Sequence, residues 1–159
     1  MSKTIQGLFE SKIEKLNSQI ARLNKNGNFD EEAANLNKYL CILISGYVEK
    51  VFVEKLLSHC EKRCGAQTYR YIHLDLKWTT NLDTGKTEKI LEKFSVKWKE
   101  LLQNDIRYSE ISNALDSIYN NRNRIAHGAD IDVSNKDLMS WYRTVQYYFL
   151  QLDIILTKK

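Results

Sequence analysis

A chain of 159 residues has room for one domain and little else. Its apolar share of 43% and charged share of 28% suit an ordinary globular protein, and at this length roughly 70% of the unfolded surface is hidden without a disulfide or metal staple. The formal charge of +4 permits an anionic partner but is modest for a protein that coats nucleic acid.

Proline is absent and glycine occurs only six times, so helices can run long and few sharp turns are available to join strands. Met1-Ser2-Lys3-Thr4 opens into an amphipathic pattern rather than a signal peptide, and no later stretch is apolar enough to span a bilayer. Ile5, Phe9, Ile13, Leu16, Ile20 and Leu23 recur at steps of three or four, one face of a first helix ended by Asn26-Gly27-Asn28. Asp30 is placed to cap a second helix, with Glu31 and Glu32 at its positive end. That helix runs from about Glu31 to Arg63 and stops near Gly65, with Leu36, Leu40, Leu43, Tyr47, Val51 and Leu57 on its apolar face. Gly46 in its middle costs about 1 kcal/mol relative to alanine, which predicts a close helix crossing. Cys41 reads as a core residue. Cys60 and Cys64 lie one turn apart in a total of three cysteines, which argues against a disulfide framework and for a reducing cytoplasm.

Between Ala66 and Asp83 the pattern weakens. Tyr69, Ile72, Leu76 and Thr80 fit a shorter third helix, although Tyr71 and Ile72 also suit the start of a strand; helix is preferred. Asp83-Thr84-Gly85 is a break, after which Thr87 is expected to cap a helix carrying Ile90, Leu91, Phe94, Trp98, Leu101 and Leu102. Asn104-Asp105 breaks the chain again before a helix with Ile111, Leu115, Ile118, Arg122 and Ile125 in register. Gly128 and Asp130 end it, and Ser134 with Asp137 resembles a capping box opening a last helix. The stripe of that helix is Leu138, Tyr142, Val145, Phe149, Leu152 and Leu156. The expected fold is all-α: a single-domain antiparallel bundle of five to six helices over residues 1–159.

Arg122 is the anomaly. It falls on the apolar stripe, where a charge is costly unless it is paired or the face is shared with a partner. Asn123 follows, and His127 lies four residues further, on nearly the same face one turn later. An imidazole, with an ordinary pKa of roughly 6.5, can take or give a proton near neutral pH. A guanidinium stays charged and offers a fork of donors matched to phosphate oxygens, and an amide can orient the phosphate or an attacking hydroxyl. This trio suits phosphodiester chemistry and requires no metal or other cofactor. Arg124, beside it, is placed to contact phosphate.

Arg122-Asn123-Arg124-Ile125-Ala126-His127-Gly128 resembles the Arg-x4-6-His signature of HEPN domains, in the subtype where Asn follows the Arg. The run from Leu36 to Lys50 is similar to the second helix of the RiboL-PSP-type HEPN group. So is Thr87-Glu88-Lys89-Ile90-Leu91 with Phe94 and Trp98. The three elements occur in the right order and cover most of Ala34 to Leu156. The resemblance implies a helical bundle that forms a homodimer through its motif-bearing face. It also implies metal-independent endoribonuclease activity on RNA, in a toxin or antiviral-defence role. His127 would then be general acid or base at the ribose 2′-hydroxyl, Arg122 would steady the phosphate charge and Asn123 would position it, leaving a 2′,3′-cyclic phosphate. Glu49, polar amid an apolar stretch, would reach the same cleft and orient His127 or Arg122. HEPN toxins with nucleotidyltransferase antitoxins usually carry a Tyr two residues after the His; Ala129 stands there, so an antitoxin that modifies this position is not supported.

Blander readings stand beside these. Arg122 and His127 also fit a structural role at the helix end, or a non-catalytic HEPN module that binds RNA, a nucleotide or a protein. His59, Cys60, Cys64 and His73 match no standard zinc spacing. Trp141, Tyr147, Tyr148 and Phe149 read as core or dimer interface rather than a base-stacking platform, and Lys62, Arg63, Arg70 and Lys77 as a solvated face rather than a strip feeding RNA to the cleft.

Overall fold

The computed structural model describes residues 4–25 and 31–159, and among these there are seven helices and no strand. They are α1 (Ile5–Lys25), α2 (Glu31–Glu61), α3 (Ala66–Leu76), α4 (Thr84–Phe94), α5 (Val96–Gln103), α6 (Tyr108–Ala126) and α7 (Asn135–Ile155). The expected turn at Asn26-Gly27-Asn28 and the Asp30 cap lie outside the described residues.

α1 packs along α2, burying Ile13, Leu16 and Ile20. The glycine of α2 sits at this crossing, as its helix-weakening cost predicts. A Cβ on Gly46 would lie 3.2 Å from Cε1 of Phe9, so the ring rests on bare backbone. Deeper in, Tyr47 meets Tyr142 and Phe149 edge-on, each at 5.3 Å between ring centroids. Such pairs contribute about 0.5–1.5 kcal/mol beyond the area they bury. The Tyr47 hydroxyl donates to Oε1 of Glu10 at 2.9 Å, so the polar end of this buried ring is satisfied.

The weak segment after α2 resolves as helix α3, whose only buried residue is Leu76. Asn81 follows in the left-handed region at φ 57°, which asparagine tolerates better than most residues. α4 starts three residues before the expected Thr87 cap. Asp83 caps it, accepting from the Lys86 N–H at 2.7 Å, while the Thr84 N–H donates to Oδ1 of Asp116 on α6 at 2.9 Å. Thr87 is buried inside the helix instead, its hydroxyl without a partner among the described residues.

The single helix expected from Thr87 to Leu102 is broken at Ser95, whose backbone is extended at φ −163° and ψ 123°. This raises the helix count to seven, above the expected five to six. The break answers two packing demands: α4 lies against α6, whereas α5 lies against α7. Beyond it Trp98 is buried and its Nε1 donates to the Lys158 carbonyl at 2.9 Å.

Ser134 caps α7, accepting from the Asp137 N–H at 3.0 Å. All six stripe residues of α7 are buried, from Leu138 to Leu156. Tyr148 and Phe149 are core, and Trp141 and Tyr147 pack half-buried against it, so these aromatics belong to the packing. No described helix is long and apolar enough to cross a membrane.

Candidate active site

α6 carries the candidate residues, and its apolar stripe sets their direction. Ile111, Leu115 and Ile118 are buried against α2 and α7, and the next residue of the stripe, Arg122, is half-buried. None of the described ion pairs includes Arg122. Its Nη1 reaches Oδ1 of Asn123 at 3.4 Å, a long contact at the edge of hydrogen-bonding range.

The helix then stops at a defined turn. Gly128 has φ +77°, a conformation that glycine adopts without steric cost. Its N–H donates to the Ile125 carbonyl at 3.0 Å, and the Ala129 N–H donates to the Arg124 carbonyl at 2.9 Å. These paired bonds form the Schellman arrangement, which satisfies helix-end carbonyls and fixes the direction in which the chain leaves. His127 is the last residue before the turn, its N–H donating to the Asn123 carbonyl at 3.1 Å and its side chain exposed. Arg122, Asn123 and His127 thus share one helix end, with the cation half-buried and the imidazole open to solvent.

The segment beyond the turn is tied back to α2. Lys38 pairs with Asp130, whose carboxyl it holds below the usual carboxylate range. Nδ2 of Asn37 donates to the Val133 carbonyl, and Nη2 of Arg124 to the Asp130 carbonyl at 3.0 Å. A cavity of about 530 Å³ opens here, lined in part by Asn37, Lys38, Asp130 and Val133. Oδ1 of Asn37 is buried and has no hydrogen-bond partner among the described residues. The sequence pattern placed Asp130 at the helix end but gave Asn37 and Lys38 no role there; the one signal was a polar pair interrupting the apolar pattern of α2.

Other candidates fall elsewhere. Arg124 is exposed and flanks the motif, with one of its nitrogens occupied by the Asp130 carbonyl. None of the described hydrogen bonds joins Glu49 to Arg122 or His127. Its Oε1 accepts the Asn81 N–H at 2.7 Å, because a left-handed residue after α3 needs its backbone donor satisfied. The suggested basic strip is divided: Lys62 and Arg63 line a cavity with Lys55 and Asp153, whereas Arg70 lies on α3 and Lys77 is its C-cap. His59 packs edge-on against Trp98 at 5.0 Å, Sγ of Cys64 donates to the Cys60 carbonyl at 3.0 Å, and His73 stacks on Tyr69 at 5.9 Å. Cys41 is buried, which pushes its thiol up to about 11.

The family model for RiboL-PSP-HEPN matches residues 9–158. The chain belongs to the RiboL-PSP-HEPN family. No curated protein and no solved structure matches it. Membership agrees with the all-helical bundle and directs attention to RNA or nucleotide chemistry. The match extends through α6, so the helix end bearing Arg122, Asn123 and His127 lies inside the RiboL-PSP-HEPN region.

Proposed function

We propose that the chain is a metal-independent endoribonuclease of the HEPN type, acting through Arg122, Asn123 and His127. The observation that carries this reading is the half-buried guanidinium without an acidic partner among the described residues, five residues before an exposed imidazole on a hydrogen-bonded helix cap. A cation kept in that position is costly for structure alone, and an incoming phosphate offsets the cost.

In the proposed reaction His127 takes the proton of the ribose 2′-hydroxyl as that oxygen attacks phosphorus. The bond from phosphorus to the 5′ oxygen breaks, and the leaving oxygen takes a proton from a second His127. The products are a 2′,3′-cyclic phosphate and a 5′-hydroxyl. Arg122 donates to the non-bridging oxygens as charge builds on them, Asn123 orients the phosphate, and Arg124 adds a phosphate contact. A homodimer joined through its motif-bearing faces supplies the second His127. Tyr39 and Ile42 on α2 are exposed three residues apart and available for that contact. Such an activity fits a cytoplasmic toxin or antiviral effector restrained by an antitoxin protein.

The test incubates the purified chain and its His127→Ala variant with total RNA in EDTA. Cleavage by the parent alone, ending in cyclic phosphates, is expected. RNA left intact by both would overturn the reading. Intact RNA with tight, salt-sensitive binding would instead identify a non-catalytic HEPN module.

A further inference from the structure

We infer that the exposed face of α3 docks single-stranded RNA, with bases stacking on Tyr71 and Trp78 and phosphates held by Arg70, Lys77 and Lys93. The inference rests on the reading of the chain as a protein that acts on RNA. Tyr71 is 76% exposed, Leu74 48% and Trp78 78%, and their spacing puts all three on one side of α3 and the residues after it. These rings bury little area in the fold: α3 is anchored by Leu76 on its other side and packs on α2.

The charges around this face select the occupant. Arg70 and Lys77 flank it and are exposed, and Lys93 stands across a groove of about 370 Å³ between α3 and α4. None of the three belongs to a described ion pair. The Lys77 ammonium lies 5.0 Å from the centre of the Trp78 ring, so cation and aromatic plane are already assembled together. Flat rings between free cations match a polyanion that carries flat bases. Asp75, the one carboxylate lining the groove, repels phosphate and can accept from a base amino group, which places bases inward and the backbone at the rim.

The position also fits. Lys77 lines a cavity with Lys50 of α2, whereas Lys38 of the same helix holds the segment just past His127. Those two lysines are twelve residues apart, roughly 18 Å along the helix axis. Lys77 at the end of α3 and the segment just past His127 are thus anchored on one helix at that axial spacing.

The test uses the full chain carrying His127→Ala, so that RNA stays intact, and a fluorescein-labelled single-stranded oligoribonucleotide read by anisotropy across a salt series. Adding Tyr71→Ala with Trp78→Ala should weaken binding roughly tenfold or more, and Trp78→Phe should weaken it less. Arg70→Gln with Lys77→Gln should flatten the slope of log Kd against log salt by about 1.4. Melting curves should not move, because these side chains are exposed. Unchanged affinity in the double alanine variant, or no binding in the His127→Ala chain itself, would overturn the inference. So would a lower oligomer mass on sedimentation with RNA affinity kept, which would assign the face to a protein contact. Cleavage separates this inference from the nuclease reading. If the unsubstituted motif cuts no RNA but the double alanine variant loses binding, the docking face stands and the nuclease falls. If cutting persists and the double alanine variant binds as the parent does, the nuclease stands and the docking face falls.

Discussion

Two arginines stand at the two ends of α6 and meet opposite surroundings. Arg107, just before the helix, donates to Oε2 of Glu110 through both Nε and Nη2, at 3.0 and 2.7 Å, and its guanidinium lies 4.3 Å from the centre of the Tyr147 ring. Arg122, near the other end, has among the described residues only the 3.4 Å contact with its neighbour Asn123. The same side chain is consumed by the fold in one place and left with spare donors in the other. A neighbouring pair repeats the lesson: the Tyr147 hydroxyl donates to Asp105, while that of Tyr148 is buried without a partner among the described residues. Polar groups that the fold has paired explain structure, and those it has not paired ask for a ligand or carry a cost.

The sharpest way to break this contrast is to remove each cation in turn. Arg122→Met should lower single-turnover RNA cleavage by about 100-fold or more while leaving stability nearly unchanged, since no acid loses a partner. Arg107→Met should do the reverse, leaving cleavage intact and lowering Tm slightly as Glu110 loses its partner. The opposite pattern would sink the distinction. Next in size is Gly128→Ala, expected to cost about 1–2 kcal/mol in urea denaturation. An added Cβ meets nothing within 4 Å there, so the whole cost is backbone strain, and a cost of a few tenths would show the turn to be soft. Tyr148→Phe should stabilise the chain by roughly 1 kcal/mol by deleting an unpaired buried hydroxyl. Tyr147→Phe should slightly destabilise it, and equal effects would mean that the pairing of these hydroxyls does not matter.

The smallest effect concerns pH. His59 is held below its ordinary value of 6.5, first by burial and then by Arg63. Its protonation therefore favours the unfolded chain, and its contribution is present above 6.5 and is lost as pH falls below that value. Thermal melts taken from about pH 7 down to about pH 5 should show a decline that His59→Phe reduces. Asp130, lowered chiefly by its hydrogen bond to Lys38, acts in a more acidic window: its contribution is present above the ordinary carboxylate value of 3.8 and lost as pH falls through the lower folded one.

The long helices were legible because their apolar residues repeat at helical spacing over many turns, as in α1, α2, α6 and α7. The break at Ser95 was not. Phe94, Trp98 and Leu102 keep four-residue steps straight through it, and only packing against two different helices reveals it. Choosing Thr87 over Asp83 as a cap failed for a similar reason. Both side chains can cap, and the deciding bond, from Thr84 to Asp116, joins residues far apart in sequence. At the site, the spacing of Arg122 and His127 was visible in the chain, because both belong to one helix. The Asn81 partner of Glu49 was not legible, since nothing local announces a bond to the N–H of a left-handed residue 32 positions later. The ties from Asn37 and Lys38 were missed on the same ground.

Trp78 is open to water, Trp141 half-buried and Trp98 almost fully enclosed. Three indoles at three depths give the molecule its own set of optical reporters. A dissolved quencher reaches Trp78 first and Trp98 last, so events on the outer face of α3 and loosening of the bundle interior give separate fluorescence signals without any added dye.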